Sequence, residues 1–442
     1  MRAFVLIFLL ASALAAQPEI PDQQYRCPPE DTCKTLHSLP AFVQPPGANY
    51  SINYVEFNDK GKSFNEHELP DALAQISKAQ ADNPYVFVFL YVHGWQNNAD
   101  EVLTSDPVNF SKAVASISSK FFPGSTPAGK APPVVGIYLA WRGLTFTFEP
   151  FKHIISYWPR RQVARAIGGE GMFQALRQIA VGVGQNRDRT MFVCIGHSFG
   201  ARVLEAAAET LDPRHPERTG FMREFRLQVK ARASHPANKE EESNRLAPSD
   251  LIFYVNAATS SAVTRETIAD LKSVCKEAPG SPICESRPMY LAITSTADWE
   301  TRFVMPVANL VIPALKTDGL RLVSAANSPT LHTHHLPDKV HCPPPAEPLR
   351  CAEPNSFCFV TGQGPNSSCY QVLPIESKAA VPFWVMNVKS DIIENHGDVW
   401  NPNVLAMVKA ISDQNKHFIR MRAAAPPKPL EPSGAPEQAT VR

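Results

Sequence analysis

Ser198 stands in Gly196-His197-Ser198-Phe199-Gly200, a Gly-x-Ser-x-Gly pentapeptide whose residue types suit nucleophilic catalysis. A hydroxyl near its free pKa attacks poorly. Acyl transfer therefore needs a histidine to take the proton, a carboxylate to orient that histidine, and donors aimed at the developing oxyanion. The pentapeptide alone is weak evidence, because random matches arise in about one of six or seven chains of this length. Its setting is stronger: it follows the apolar run Met191–Ile195 and opens an alanine-rich stretch, Phe199 to Leu211. That order is the strand–turn–helix of a nucleophile elbow. Gly196 and Gly200 leave room for the sharp turn, and backbone N–H groups at the new helix N-terminus favour negative charge beside the hydroxyl.

Partners for Ser198 are sought later in the chain, where elbow serines of this kind find their acid and base. Of 13 histidines, His396 is the predicted base, in a loop closely following the apolar run Pro382–Lys389. His215 and His235 fall in a charged stretch with no strand end before them. The predicted acid is Asp298, in the loop after Met289–Thr294. Glu300, two residues on, is its rival, whereas Glu394 and Asp398 lie too near His396 in sequence to reach its far nitrogen easily. For the oxyanion, the N–H of Phe199 is one expected donor. The N–H of Trp95, in the turn His93-Gly94-Trp95 that ends the run Tyr85–Val92, is the other. His93 itself has two readings, a second base or a residue hydrogen-bonded within its own turn.

These residues need a scaffold that brings strand ends together. Strands are expected at Ser51–Glu56, Tyr85–Val92, Val134–Ala140, Met191–Ile195, Leu251–Asn256, Met289–Thr294 and Pro382–Lys389. Several are almost wholly apolar, as strands buried on both faces are. Helical composition marks Asp71–Ala81, Val108–Phe121, Gln162–Val183, Phe199–Leu211 and Ser261–Val274. The alternation predicts an α/β fold with a mostly parallel, doubly wound sheet. Two surface insertions are expected, a charged one near 212–249 and one at 329–377 rich in proline, histidine and cysteine. The domain proper is expected to span 51–422, with an irregular lead-in at 17–50 and a disordered proline-alanine tail at 423–442.

Residues 1–16 read as a secretory signal peptide, with Arg2, a short apolar run and a small-residue end. The run is too short for a bilayer span, so secretion or a periplasmic location is expected, with no lasting membrane anchor. In an oxidising compartment most of the nine cysteines would pair. Proximity suggests Cys27 with Cys33, Cys275 with Cys284, and two bonds among Cys342, Cys351, Cys358 and Cys369, leaving Cys194 free in its strand. Lysine plus arginine (43) balances aspartate plus glutamate (42), which gives no electrostatic ground for a nucleic-acid partner.

Taken together, Val92-His93-Gly94-Trp95 with Asn97 and Asn98, Val135 to Gly143, and Gly196 to Arg202 resemble the α/β-hydrolase superfamily over about Ser51 to Arg420. The closer likeness is to a group of largely uncharacterised bacterial and fungal members. The resemblance implies Ser198 as nucleophile, Asp298 as acid and His396 as base, and names no substrate. Aromatic residues supply that expectation. Phe146 and Phe148, in the loop after β-strand Val134–Ala140, with Trp141 and Trp299, are predicted to line an apolar pocket. A small-molecule ester of an apolar acid is the expected substrate, hydrolysed without a cofactor. An amidase or peptidase, and a non-catalytic binding protein on this fold, are the alternatives. His332, His334, His335 and His341 beside Cys342 suggest a metal rival, but they lack a His-Glu-x-x-His helix and no metal is expected.

Overall fold

The computed structural model of the protein describes residues 20, 22–25, 49–100, 104–121, 132–145, 156–169, 171–208, 249–277, 288–310, 323–336, 356–361, 367–375 and 381–413. Seven strands build the main sheet: β1 (Tyr50–Phe57), β2 (Val86–Val92), β3 (Val134–Trp141), β4 (Thr190–His197), β5 (Leu251–Val255), β6 (Tyr290–Ser295) and β10 (Phe383–Val388). They lie in the order β1-β3-β2-β4-β5-β6-β10, and every neighbouring pair is parallel. This is a doubly wound α/β sheet. Its order reverses between β2 and β4, so the connections leaving those two strands diverge and open a crevice at their C-terminal ends, where α/β sheets place ligands. Register sets Val92 beside Gly196, which brings the turn after β2 alongside the turn after β4.

Strand sequence explains the burial. In β2 the side chains of Val88, Leu90 and Val92 enter one core and those of Phe87, Phe89 and Tyr91 the other, the period of two that a strand imposes. The first core is closed by α1 (Glu68–Asp82), α3 (Tyr157–Gly169), α4 (Gly171–Gly184), α5 (Phe199–Ala208) and α6 (Ser261–Glu277). The second is closed by α2 (Asp106–Phe121) and α7 (Pro402–Asp413), together with part of a small antiparallel sheet. That sheet joins β7 (His334–His335), β8 (Phe357–Thr361) and β9 (Ser368–Pro374) in the order β7-β9-β8.

Two features differ from the sequence expectation. The helix expected over Gln162–Val183 is two helices, α3 and α4, which meet where Gly168, Gly169 and Gly171 weaken helical propensity. The described part of 329–377 is not a free-standing insertion: Phe357, Phe359, Tyr370 and Val372 are buried in the core, and Phe357 lies 5.9 Å from Trp384, ring to ring. Cys194 is free and buried in β4. The expected pairings involve Cys27, Cys33, Cys284, Cys342 and Cys351, which lie outside the described residues, as do the leader and the tail.

A buried acid at the edge of the fold gives a stability prediction. Glu68, at the start of α1, accepts hydrogen bonds from the Glu56 amide at 2.7 Å and from Gln24 at 2.7 Å. Burial, reinforced by the charge of Glu56, pushes its pKa up from 4.5 to about 8. The folded chain therefore holds this proton where the unfolded chain has lost it. Its stabilising share is complete below about pH 4.5 and disappears as pH rises through 8. Glu68→Gln copies the protonated shape. It is expected to raise stability at pH 8.5 by about 1–2 kcal/mol, a few degrees in Tm, with no gain at pH 4. Parallel wild-type and variant Tm curves between pH 4 and 9 would refute this.

Candidate active site

Ser198 sits between β4 and α5 with φ 53°, a left-handed value that is strained for a serine and is held by its neighbours. Its N–H donates to Val255 O at 3.1 Å, and its carbonyl accepts from Ala258 N at 3.1 Å, so the end of β5 brackets the elbow. Close approach makes two glycines obligatory. A Cβ on Gly200 would stand 2.0 Å from Val92 O, and one on Gly94 would stand 2.8 Å from Ser198 Cβ. Gly94 thereby lets the turn after β2 lie directly against the serine, with Trp95 following it. Phe199 occupies the first position of α5, where a backbone N–H has no helical acceptor.

Three strand ends meet here. His396, in the loop after β10, accepts the hydroxyl hydrogen bond of Ser198 at Nε2, 2.8 Å away. Its Nδ1 donates to Asp298 Oδ1 at 2.9 Å, and Asp298 lies just past β6. Ser198 and Asp298 are buried, while the His396 side chain keeps 13% exposure. Burial alone would raise the pKa of Asp298, but the adjacent His396 and two hydrogen bonds from Thr301 (N–H at 3.0 Å, hydroxyl at 2.6 Å) outweigh it and lower it. Burial alone would lower that of His396, but the Asp298 charge and hydrogen bond, aided by Glu300, raise it. An ionised Asp298 thus fixes the tautomer that leaves Nε2 free to accept a proton.

The loop carrying His396 is clamped from below by groups that sequence reasoning passed over. Its carbonyl accepts from His197 Nε2 at 2.7 Å and from Asn256 Nδ2 at 2.9 Å; Asn256 Nδ2 also reaches Asn395 O at 3.0 Å. Ser295 donates its hydroxyl to Ile393 O at 2.6 Å, and its amide donates to Asn256 Oδ1 at 2.9 Å. The ends of β4, β5 and β6 therefore each supply one clamp. Burial and the neighbouring His396 push His197 down to about 3, which keeps it a neutral donor at working pH. His197 lies inside the pentapeptide, yet nothing in the sequence points to a contact with residue 396. Asn256 carries one local signal, a polar residue ending an apolar strand, and takes a left-handed φ of 46°.

Other expected residues are placed as follows. His93 is buried and satisfied locally: Nδ1 donates to Gly94 O at 2.8 Å and Nε2 accepts the Trp141 amide at 3.0 Å, with burial pushing its pKa down to about 4. Trp141 is not brought to the site as pocket wall. It lies in the core, stacked on His93 at 5.6 Å with its indole N–H on His93 O, because the last residue of β3 points under the turn. Trp299 is 61% exposed beside Asp298 and stacks on Phe303 at 4.4 Å. Phe146 and Phe148 lie outside the described residues. Glu300 has a carboxylate oxygen within 4.8 Å of Asp298 and His396. The Asp398 carboxylate is spent on the Glu394 amide at 3.0 Å and Asn401 at 2.6 Å. His332 donates to Ala326 O at 2.7 Å and His334 lies on the Trp384 ring at 4.0 Å, so the structure gives these histidines separate partners. His341 lies outside the described residues.

No family model and no curated protein matches the chain. Among solved structures it is similar to Zea mays acyl-protein thioesterase 2, at 12% identity over 55% of this chain and 83% of that one. The TM-score of 0.21 is too low to carry a conclusion about function.

Proposed function

We propose that the chain is a serine hydrolase that cleaves carboxylic esters through an acyl-enzyme on Ser198. The observation that supports this is the unbroken hydrogen-bonded line from Ser198 Oγ through His396 to Asp298, assembled on the ends of β4, β10 and β6. In this reading His396 Nε2 takes the Ser198 proton as Oγ attacks the ester carbonyl, and Asp298 stabilises the imidazolium that forms. The N–H groups of Phe199 and Trp95 receive the oxyanion, each worth roughly 3–4 kcal/mol in the transition state. His396 then passes its proton to the departing alcohol, and a water activated the same way frees the acid. No cofactor takes part. The exposed Trp299–Phe303 pair beside Asp298 supports an apolar acyl group. Secretion and disulfide bonding belong to the same proposal, supported by the leader-like pattern of residues 1–16 and by nine cysteines, most of which would pair in an oxidising compartment.

A fluorophosphonate probe with p-nitrophenyl esters of increasing acyl length tests the proposal. Stoichiometric labelling is expected, with kcat/KM rising from acetate to medium-chain esters and little turnover of matching anilides. A folded protein that resists the probe would overturn it. So would activity that is lost to a chelator along with one bound zinc.

A further inference from the structure

Next to the elbow, α3 and α5 bring together three hydrogen-bond donors that the proposed chemistry does not use. Tyr157 and Arg161 stand four residues apart on α3, hence on one face. Arg202 lies on α5, three residues after Phe199 and on its side of the helix. The Tyr157 ring ties this cluster to the site, 5.2 Å from the Phe199 ring and 5.5 Å from that of Trp95. Tyr157 is 3% exposed and Arg202 7%, while Arg161 is half-buried and gives the cluster contact with solvent.

Among the described residues none of these groups has an acceptor. The Tyr157 hydroxyl and the Nε of both Arg161 and Arg202 are enclosed without a hydrogen-bond partner, and no carboxylate among the described residues pairs with either guanidinium. Elsewhere this chain pairs its buried arginines: Arg160 lies on Asp59 at 2.6 Å and Arg187 on Asp250 at 3.0 Å. Compensation at the cluster is partial. Arg161 sits over the Trp158 ring at 5.8 Å, and Glu205 exerts an attractive field on it while accepting the Thr264 hydroxyl at 3.2 Å. Against this stand burial and the like charges of Arg202 and Arg165. Buried donors and like charges without an acceptor are costly, and a phenol with two guanidinium forks is the donor set that carboxylates and phosphates take up.

We propose that Tyr157, Arg161 and Arg202 form a subsite for an anionic group, carboxylate or phosphate, carried by the substrate about one helical turn from Ser198. The subsite stands on these unpartnered donors alone. Its assignment to the substrate rests on the hydrolase reading.

Two arms separate those clauses. In anion-free buffer, inorganic phosphate is titrated into Ser198→Ala protein and followed by calorimetry and Tm. The same is done on backgrounds carrying Tyr157→Phe, Arg161→Gln or Arg202→Met. Phosphate is expected to raise the Tm of the parent, and each added change is expected to weaken binding about tenfold. Without phosphate, Arg202→Met is expected not to lower Tm, since it removes an unpaired buried cation. In the second arm, wild type hydrolyses p-nitrophenyl hemiesters of dicarboxylic acids with four to eight carbons, against neutral esters of equal length. At the best length, the charged-to-neutral ratio of kcat/KM is expected to be about tenfold and to collapse in Tyr157→Phe and Arg161→Gln. Absence of any phosphate effect, with Arg202→Met lowering Tm, would overturn the subsite, because the arginine would then be satisfied by the chain. Phosphate binding with a ratio near one would overturn the substrate clause. If wild type turns over no ester at all, the hydrolase reading fails and the phosphate arm still decides the subsite.

Discussion

Ser198→Ala is expected to cut kcat for p-nitrophenyl esters by about 10⁵- to 10⁶-fold and to abolish fluorophosphonate labelling. The size follows from the geometry. Ser198 Oγ is the atom on His396 Nε2, at 2.8 Å, and in the proposed mechanism alanine removes the atom that bonds to the acyl carbon while leaving the histidine and carboxylate in place. Folding should be spared, since the φ of 53° is imposed by the approach of α5 to β2 at Gly200 and by the hydrogen bonds to Val255 and Ala258. The residue left over should hydrolyse esters slowly, at the rate that oriented water and the oxyanion donors allow. Near-normal labelling of this variant would place the nucleophile elsewhere and remove the mechanism.

Asp298→Asn is expected to lower kcat by about 10⁴-fold, the scale of a triad carboxylate. The amide can still accept from His396 Nδ1–H if its NH₂ turns to Thr301 Oγ, but it no longer opposes the imidazolium with a full charge. The pH profile separates charge from shape. In wild type His396 titrates above its ordinary value of 6.5, because Asp298 outweighs burial, and only the neutral base is active. The acid limb of kcat/KM should therefore lie above pH 6.5 in wild type and move downward in the variant. A limb that stays in place, with turnover near wild type, would hand the role to Glu300, whose carboxylate is within 4.8 Å, and Glu300→Gln would then carry the loss.

Much of this site is legible in the chain itself. Every strand of the main sheet lies within two residues of its expected span at either end, because a parallel strand buried on both faces must be a short apolar run and little else resembles one. The elbow is legible for the same reason: glycine, serine and glycine directly after such a run leave few alternatives. What the chain does not reveal is which polar groups meet. Asp298 and Glu300 offer the same carboxylate chemistry from one short loop. Chain position already disfavours Asp398, whose carboxylate turns back onto its own loop, but it does not separate Asp298 from Glu300; Thr301 holds the Asp298 carboxylate where it meets His396. Trp141 reads as a pocket aromatic beside a turn, yet the direction of the last β3 side chain sends it beneath His93.

The amino-acid sequence by itself determined the seven strands of the main sheet in chain order, the turn at Ser198, and the two loops that hold Asp298 and His396. Those are set by local periodicity and by chain position. Only the tertiary structure decided that β2 and β4 lie side by side, that Asn256, His197 and Ser295 clamp the loop of His396, and that Tyr157, Arg161 and Arg202 share one unpartnered cluster. Such hydrogen bonds form between residues far apart in the chain, and their partners are chosen by packing distance and direction, which no local pattern of residue types records.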